Sequence, residues 1–150
     1  MAWIAITAEM LQHTKVAALV DALRSAALGE GESDPVDDIA ADVVAEIRTA
    51  IATAGGSVDA SGEDTVPPSL VRMACRLILW EAKGRLELDR TMDEMDHRED
   101  LRRLDRVRQG KELVEQPDEA ETLPVMGGAA VVIGEQRTRV ANQGGLNGLL

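Results

Sequence analysis

The stretch that decides the fold runs from Val66 to Leu88 and reads VPPSLVRMACRLILWEAKGRLEL. Pro68 suits the first turn of a helix, where a missing N–H costs nothing. Wound as an α-helix, the apolar residues that follow cover most of the circumference, so this helix must be covered on several sides. It is too short and too charged to cross a bilayer. The stretch therefore predicts the central helix of an all-α domain, and Gly84 predicts a kink or a close approach of another group within it.

The composition indicates a core built from aliphatic side chains. The 150 residues include no Phe or Tyr and only two Trp, so Ala, Leu, Val, Ile and Met must fill the interior. The formal net charge of -11 disfavours a protein that wraps nucleic acid, because that affinity comes mainly from Lys and Arg at phosphates. The same negative charge is compatible with a protein whose acidic surface lets DNA slide past it without being gripped. The length predicts one domain plus tails.

Helices are predicted on both sides of the central one. Apolar residues at helical spacing predict a brief helix from Ala8 to about His13 and a second from Lys15 to Ala27, or one continuous helix from Ala8 to Leu28.

A third helix has clear boundary signals. Asp34 is placed to cap it, Pro35 to occupy its first position, and the pair Gly55-Gly56 to stop it. The polar loop over residues 57–65 that follows is expected to be exposed. Three polar residues lie off the apolar stripe of this helix and are expected to face solvent or a neighbour: Asp42, Glu46 and Arg48.

The charged segment from Met92 to about Leu113 predicts a further helix with a narrow apolar stripe. Ion pairs one turn apart are expected between Glu94 and Arg98 and between Glu99 and Arg103. A helix this polar is either solvated or packed against copies of itself. The stripe consists of Met92, Met95, Leu101, Leu104 and Val107.

After Pro117 the helical pattern ends. We divide the chain into a helical domain over residues 1–117 and an extended C-terminal arm over residues 118–150. A short apolar run in the arm can form a strand, which would need a partner edge. The fold class predicted is therefore all-α, a small bundle of four to five helices around a central apolar helix, with an arm able to add a short β-strand.

No pattern of catalytic or metal-ligating residues stands out, so we expect a protein that is not an enzyme and that binds no metal or cofactor. His13 and His97 lie on different elements. The acidic side chains over residues 93–100 would point around much of a helix, and neighbouring arginines neutralise their charge. A solvated helix face is therefore a better interpretation of this run than a metal site. Cys75 lies among Leu and Ile, which indicates a buried structural thiol. No signal peptide is recognised, so folding in a reducing cytoplasm is expected.

Several segments, taken in order, resemble the head–tail connector (adaptor) proteins of long-tailed bacteriophages, in particular those of Mu-like phages and related prophages. The order and spacing of the segments carry this likeness, since no single motif is specific, and it covers roughly residues 3–117. The segments are Trp3-Ile4-x-Ile6-Thr7, Ala17–Leu28 followed by Asp34-Pro35, Ile39–Ile51 with Glu46-Ile47-Arg48, Thr65-Val66-Pro67-Pro68-Ser69-Leu70, and Leu101–Lys111.

The resemblance implies a structural virion protein, made in the cytoplasm of the host bacterium and located in the neck between capsid and tail. Its copies would form a ring, dodecameric by this likeness, below the portal protein. The ring would hold the next neck or tail component, a stopper or a tail terminator. DNA would pass through its lumen without sequence-specific binding, and neither a cofactor nor a membrane is implied.

The candidate interface residues for such a ring are a Trp near the apolar N-terminal segment, arginines able to pair between subunits, and apolar residues of the arm. An alternative function is a helical regulatory or antitoxin-like module that binds protein. A metalloenzyme using Asp93, Asp96 and His97 is disfavoured by the neighbouring arginines. The candidate interface residues are Trp3, Arg72, Arg76, Arg102, Arg106, Val131, Val132, Ile133, Leu149 and Leu150.

Overall fold

The structure, a computed structural model, describes residues 1–12, 17–27 and 34–123. These residues are mostly helical, as predicted. The helices are α1 (Ala8–Gln12), α2 (Ala17–Ala27), α3 (Pro35–Thr53), α4 (Val71–Arg85) and α5 (Glu94–Arg108). The strands, each of two residues, are β1 (Ile4–Ala5), β2 (Val58–Asp59), β3 (Thr65–Val66) and β4 (Ala120–Glu121), and single 3-10 turns occupy Pro68–Leu70 and Thr91–Asp93.

None of the described helices is both long enough and apolar enough to span a membrane. Whether α1 and α2 are continuous falls on residues 13–16, which lie outside the described residues.

The boundaries of α3 are confirmed. The Asp34 carboxylate accepts a hydrogen bond from the backbone N–H of Val36 at 3.0 Å, and Pro35 takes the first helical position. At the other end Gly55 adopts a φ of 84°, a left-handed conformation that glycine reaches without steric cost. Gly56 N–H then donates to the carbonyl of Ile51 at 3.0 Å, which satisfies an acceptor at the helix end.

The most deeply buried described helix is α3, not the predicted central helix. It packs against α2, α4 and α5, and ten of its residues are buried, compared with five in α4. The α4 helix starts later than predicted, at Val71, because the residues before it form β3 and a 3-10 turn. Arg72, Glu81 and Arg85 of this helix are exposed, so it is not enclosed along its whole length.

The segment over residues 57–66 is exposed as expected only in its middle, at Ala60, Ser61, Glu63 and Asp64, whereas the short strands on either side are buried. Its strand β3 pairs antiparallel with β1, and its strand β2 pairs antiparallel with β4. Val58 and Asp59 are therefore inaccessible to solvent, or nearly so. The pairing also brings residues 120–121 of the predicted arm back onto the helical part of the chain.

The apolar stripe predicted for α5 is only half correct. Leu104 and Val107 are buried, but Met92 is 91% exposed, Met95 83% and Leu101 42%. The helix begins at Glu94, after a 3-10 turn, so the helical spacing that links Met92 to the buried positions does not hold there.

Candidate interaction surfaces

A buried arginine joins α3 to the strands. Arg48, only 6% exposed, donates from Nη1 to the carbonyl and hydroxyl oxygens of Thr65, both at 3.1 Å, and from Nη2 to the carbonyl of Asp59 at 2.7 Å. The Thr65 hydroxyl donates to the Asp59 carboxylate at 2.9 Å. Of the two alternatives expected for these polar residues, Arg48 faces a neighbouring segment, whereas Asp42 and Glu46 are exposed to solvent.

The Asp59 carboxylate is held ionised by this network. Burial alone would raise its pKa, but hydrogen bonds from the backbone and hydroxyl of Ser61 and from Thr65, with the charge of Arg48, bring the pKa below its ordinary value. The network has a structural role, since its hydrogen bonds join α3 to β2 and β3 of the same chain.

Trp3 lies inside the fold, with 7% of its surface exposed. Its indole N–H donates to the carbonyl of Glu115 at 2.9 Å, and its ring lies 5.6 Å from the guanidinium of Arg48. It therefore ties the N-terminal segment to the chain after α5. Its role as an interface anchor stays a prediction, and the structure leaves it little surface for a partner.

Arg76 makes an ion pair within the chain. Its guanidinium binds the Asp100 carboxylate through both oxygens, with Nε at 2.8 Å from Oδ2, and Asp100 is almost fully buried. The hydrogen bonds that Arg76 donates to Asp100, together with the charges of Asp100 and Asp96, outweigh burial and raise the pKa of Arg76. The pair joins α4 to α5. Arg72, by contrast, is exposed and makes no ion pair in the described part of the chain.

Arg102 and Arg106 lie on the outer side of α5. Arg102 is 72% exposed, and Glu99 is its ion-pair partner at 3.8 Å, whereas Arg106 contacts Glu112 at 3.4 Å and Glu99 at 3.9 Å. Arg102 therefore stays available to a partner.

The ion pair expected between Glu94 and Arg98 is present. The one expected between Glu99 and Arg103 is not, because Arg103 binds Glu112 at 2.6 Å where the chain folds back after α5. The remaining candidate interface residues lie outside the described residues: Val131, Val132, Ile133, Leu149 and Leu150.

His97 is half-buried, which corrects the expected solvated position. Its ring stacks on Trp80 with centroids 4.0 Å apart and 6° between the planes, and its Nδ1 is buried without a hydrogen-bond partner. The Arg90 guanidinium lies 4.3 Å from the Trp80 ring. A Cβ at Gly84 would lie 2.7 Å from Nη1 of Arg90, so the close approach predicted at this glycine is confirmed.

Two acidic residues near His97 are engaged in ion pairs. Asp93 binds Lys83, and Asp100 binds Arg76. Over residues 1–12, 17–27 and 34–123, no group of three or more His, Cys, Asp or Glu is arranged to hold a metal ion. Burial raises the pKa of the Cys75 thiol, which is only half-buried and therefore less enclosed than predicted.

Two surfaces have the composition of protein contacts. The first, which we call the acidic groove, lies between α3, α4 and α5. Its floor is apolar and its rim carries three carboxylates. It is lined by Ile39, Asp42, Val43, Glu46, Leu77, Glu81, Arg85, His97 and Leu101.

The second surface, which we call the methionine face, is the outer side of α5 and the turn before it. It consists of Met92, Met95, Arg98 and Arg102, and the last three border one shallow hollow that Glu94, Asp96 and Glu99 also line. Large exposed apolar side chains rimmed by charged groups are typical of interaction sites, and Met and Arg are enriched in interface cores.

Compared with protein-family models, curated proteins and solved structures, this chain has no match in any of the three. Function is therefore inferred from the residues and from the resemblance described above.

Proposed function

We propose that this chain is a structural virion protein, a head–tail connector (adaptor) subunit. Its copies form a ring below the portal protein, join the capsid to the tail through a stopper or tail terminator, and let DNA pass. It acts without catalysis, in the neck of the virion, after synthesis in the host cytoplasm. The order of the segments that resemble connector proteins supports this proposal.

The observation that carries the proposal is the exposure of Met92 and Met95. Exposed apolar surface rimmed by polar groups marks interaction sites in soluble proteins. A building block needs such surface, whereas a protein that works alone gains nothing from it. No metal-binding arrangement competes with this interpretation among the described residues.

The charge of the chain suits a conduit for DNA. A net charge of -11 repels the phosphate backbone, so DNA can slide past without being gripped. We therefore expect the lumen of the ring to have an acidic lining. Surface potential mapped on the assembled ring tests this, and a continuous lining of Lys and Arg would contradict it.

The finer architecture is also part of the proposal. We propose that the helices form a small bundle, and that residues 118–150 act as an arm that contacts the portal, a neighbouring subunit or the tail. Hydrogen exchange should be slower over residues 124–150 in the assembled ring than in the free chain. Equal protection in both states would count against the arm.

The deciding experiment uses the phage or prophage that carries this gene. A nonsense codon in the gene should give filled or empty heads and separate tails, because the joint between them is missing. Supplying the wild-type chain in trans should restore joined particles, and electron microscopy of lysates reads out both. Normal virions without the chain would refute the proposal and favour the regulatory or antitoxin-like binding module.

A further inference from the structure

The acidic groove carries an excess of negative charge beside an apolar floor. Asp42, Glu46 and Glu81 line it, together with a single arginine, Arg85. Asp42 and Glu81 make no ion pair in the described part of the chain, and Glu46 has one cationic partner at 3.9 Å. Leu101 of the floor is 42% exposed. The groove therefore suits an occupant that brings apolar side chains together with positive charge.

The methionine face does not provide such an occupant. Its hollow is lined by Glu94, Asp96 and Glu99 as well as by Arg98 and Arg102, so carboxylates outnumber guanidinium groups there. Two net acidic surfaces repel each other, which disfavours docking of this face into the groove of another copy.

A segment after the last described residue has the required composition. Residues 131–140 read VVIGEQRTRV and combine four β-branched apolar residues with two arginines. Arg137 and Arg139 outnumber Glu135, the one acidic residue over residues 124–150, so this end of the chain is net positive in a protein whose net charge is -11. The acidic groove therefore attracts this segment, and the apolar residues beside the arginines suit its floor.

The two arginines are spaced to meet two carboxylates of the groove. Asp42 and Glu46 are four residues apart on α3, so their Cβ atoms lie about 5–6 Å apart. Arg137 and Arg139 are two residues apart, and in an extended chain such side chains point to the same side with a rise of about 6.6 Å between them. An extended segment laid along α3 can therefore pair both arginines at once.

The segment can reach the groove of its own chain. Strand β4 ends at Glu121 and pairs with β2, which begins at Val58, shortly after α3 ends at Thr53. The last described residues therefore lie near the C-terminal end of α3. Glu46 is seven residues back along this helix, which corresponds to about 10 Å. Residues 124–130 span up to about 23 Å when extended, which is more than this distance.

The short connection also favours the chain's own groove over that of another copy. A short linker holds a tethered segment at an effective concentration in the millimolar range. In dilute solution this concentration exceeds that of any second copy. The contact within one chain therefore forms first.

We propose that residues 131–140 occupy the acidic groove of their own chain. Arg137 and Arg139 pair with Asp42 and Glu46, and the apolar residues of the segment cover Leu101. This contact goes beyond the connector role, because it needs neither a second copy nor a phage particle. An arm that contacts another component must first leave the groove. A single short contact opens often, so residues 124–150 still exchange hydrogen more slowly in an assembled ring than in the free chain.

Disulfide trapping in the full chain tests this contact. Cys75→Ala removes the native thiol, Leu101→Cys places a thiol on the groove floor, and Val132→Cys or Val140→Cys places one in the segment. A disulfide needs the two Cα atoms within about 7 Å, so it reports direct apposition. In a glutathione buffer at low protein concentration, at least one of these pairs should form an intrachain disulfide. Its effective concentration should be about ten times that of the background pair, in which Met95→Cys, exposed and outside the groove, replaces Leu101→Cys.

Charge reversal tests the chemistry of the same contact. Arg137→Glu with Arg139→Glu, added to the variant that is trapped best, should lower the effective concentration about tenfold, because like charges then face each other. Asp42→Arg with Glu46→Arg, added in turn, should restore it. Circular dichroism of each variant verifies that the chain is folded.

The matched control reverses two exposed cations outside the groove. Arg72→Glu with Lys111→Glu makes the same change of net charge and should leave the effective concentration within about twofold, because distant surface charges are screened.

Three results would overturn the inference. The first is trapping at Leu101 no stronger than at Met95. The second is crosslinked dimers in place of intrachain disulfides, which would assign the groove to the arm of another copy. The third is a charge reversal with no more effect than its control. A trapped contact in a chain that virions do not need removes the connector role alone, whereas an untrapped contact in a chain that virions need removes this inference alone.

Discussion

Replacing Arg48 with Met should destabilise the protein by about 4 kcal/mol. The variant loses three hydrogen bonds from a buried guanidinium, two to Thr65 and one to the carbonyl of Asp59. Removing one partner of a buried charged network costs roughly 3–5 kcal/mol, because the groups left behind are desolvated and unpaired. The whole stability of a domain is about 5–15 kcal/mol, so this loss is a large share of it. The expected fall in Tm is about 10 °C.

Urea unfolding, followed by circular dichroism and by tryptophan fluorescence, measures this loss. Arg72→Met is the matched control, since Arg72 is exposed and without an ion pair in the described part of the chain, and it should change the free energy by less than about 0.5 kcal/mol. Arg48→Lys keeps the charge but has fewer hydrogen-bond donors, so its loss in free energy of unfolding should lie between those of Arg48→Met and Arg72→Met. An Arg48→Met variant within about 1 kcal/mol of the wild type would refute the network's role.

Three further predictions concern single sites. Because the pKa of Asp59 is lowered in the folded chain, its contribution is present above the unfolded pKa of about 4 and is lost as pH falls through the folded pKa. Asp59→Asn should therefore lower stability at pH 7, and the difference from the wild type should shrink as the pH falls through the folded pKa of Asp59, in urea unfolding at several pH values. A double-mutant cycle of Asp100→Asn and Arg76→Met should give a coupling of about 2 kcal/mol; additive effects would contradict the ion pair. Gly55→Ala should cost about 1 kcal/mol through backbone strain alone, since no atom lies within 4 Å of the added Cβ, and Gly55→Asn should cost less.

The sequence predicts α3 well because its boundary signals are local. Asp34, Pro35 and Gly55 act on backbone groups within a few residues of themselves, so a linear pattern is enough to recognise them. The mostly helical content follows from the same kind of local periodicity.

The strands and the arginine network could not be predicted in the same way. A two-residue strand has no alternation to detect, and β2 pairs with β4 across about half the chain. Arg48 is polar and lies off the apolar stripe of its helix, which is compatible with solvent or with a neighbour, and the return of residues 57–66 supplies the partners that bury it. Burial of a charge depends on such distant groups.

The candidate surfaces could be predicted from the sequence only in part, because they too depend on how the elements are arranged. Met92 precedes α5 in a 3-10 turn, where the spacing differs from that of an α-helix. Met95 lies within α5, but its position nine residues before Leu104 places it on the opposite side of the helix from that buried residue. The acidic groove needs residues from three helices, so no single segment contains it. The exposed arginines of α5 were found from sequence because they lie together on one helix.

The two indoles of this chain have separate surroundings, and no Tyr or Phe accompanies them. Trp3 is enclosed and hydrogen-bonded to the Glu115 carbonyl, whereas Trp80 lies against Arg90 and against His97, which borders the acidic groove. All near-ultraviolet emission therefore comes from two positions with different neighbours. A Trp80→Leu variant isolates a fluorophore that reports global unfolding, and a Trp3→Leu variant isolates one close to the acidic groove. The protein thus contains its own pair of optical reporters, and neither requires an attached dye.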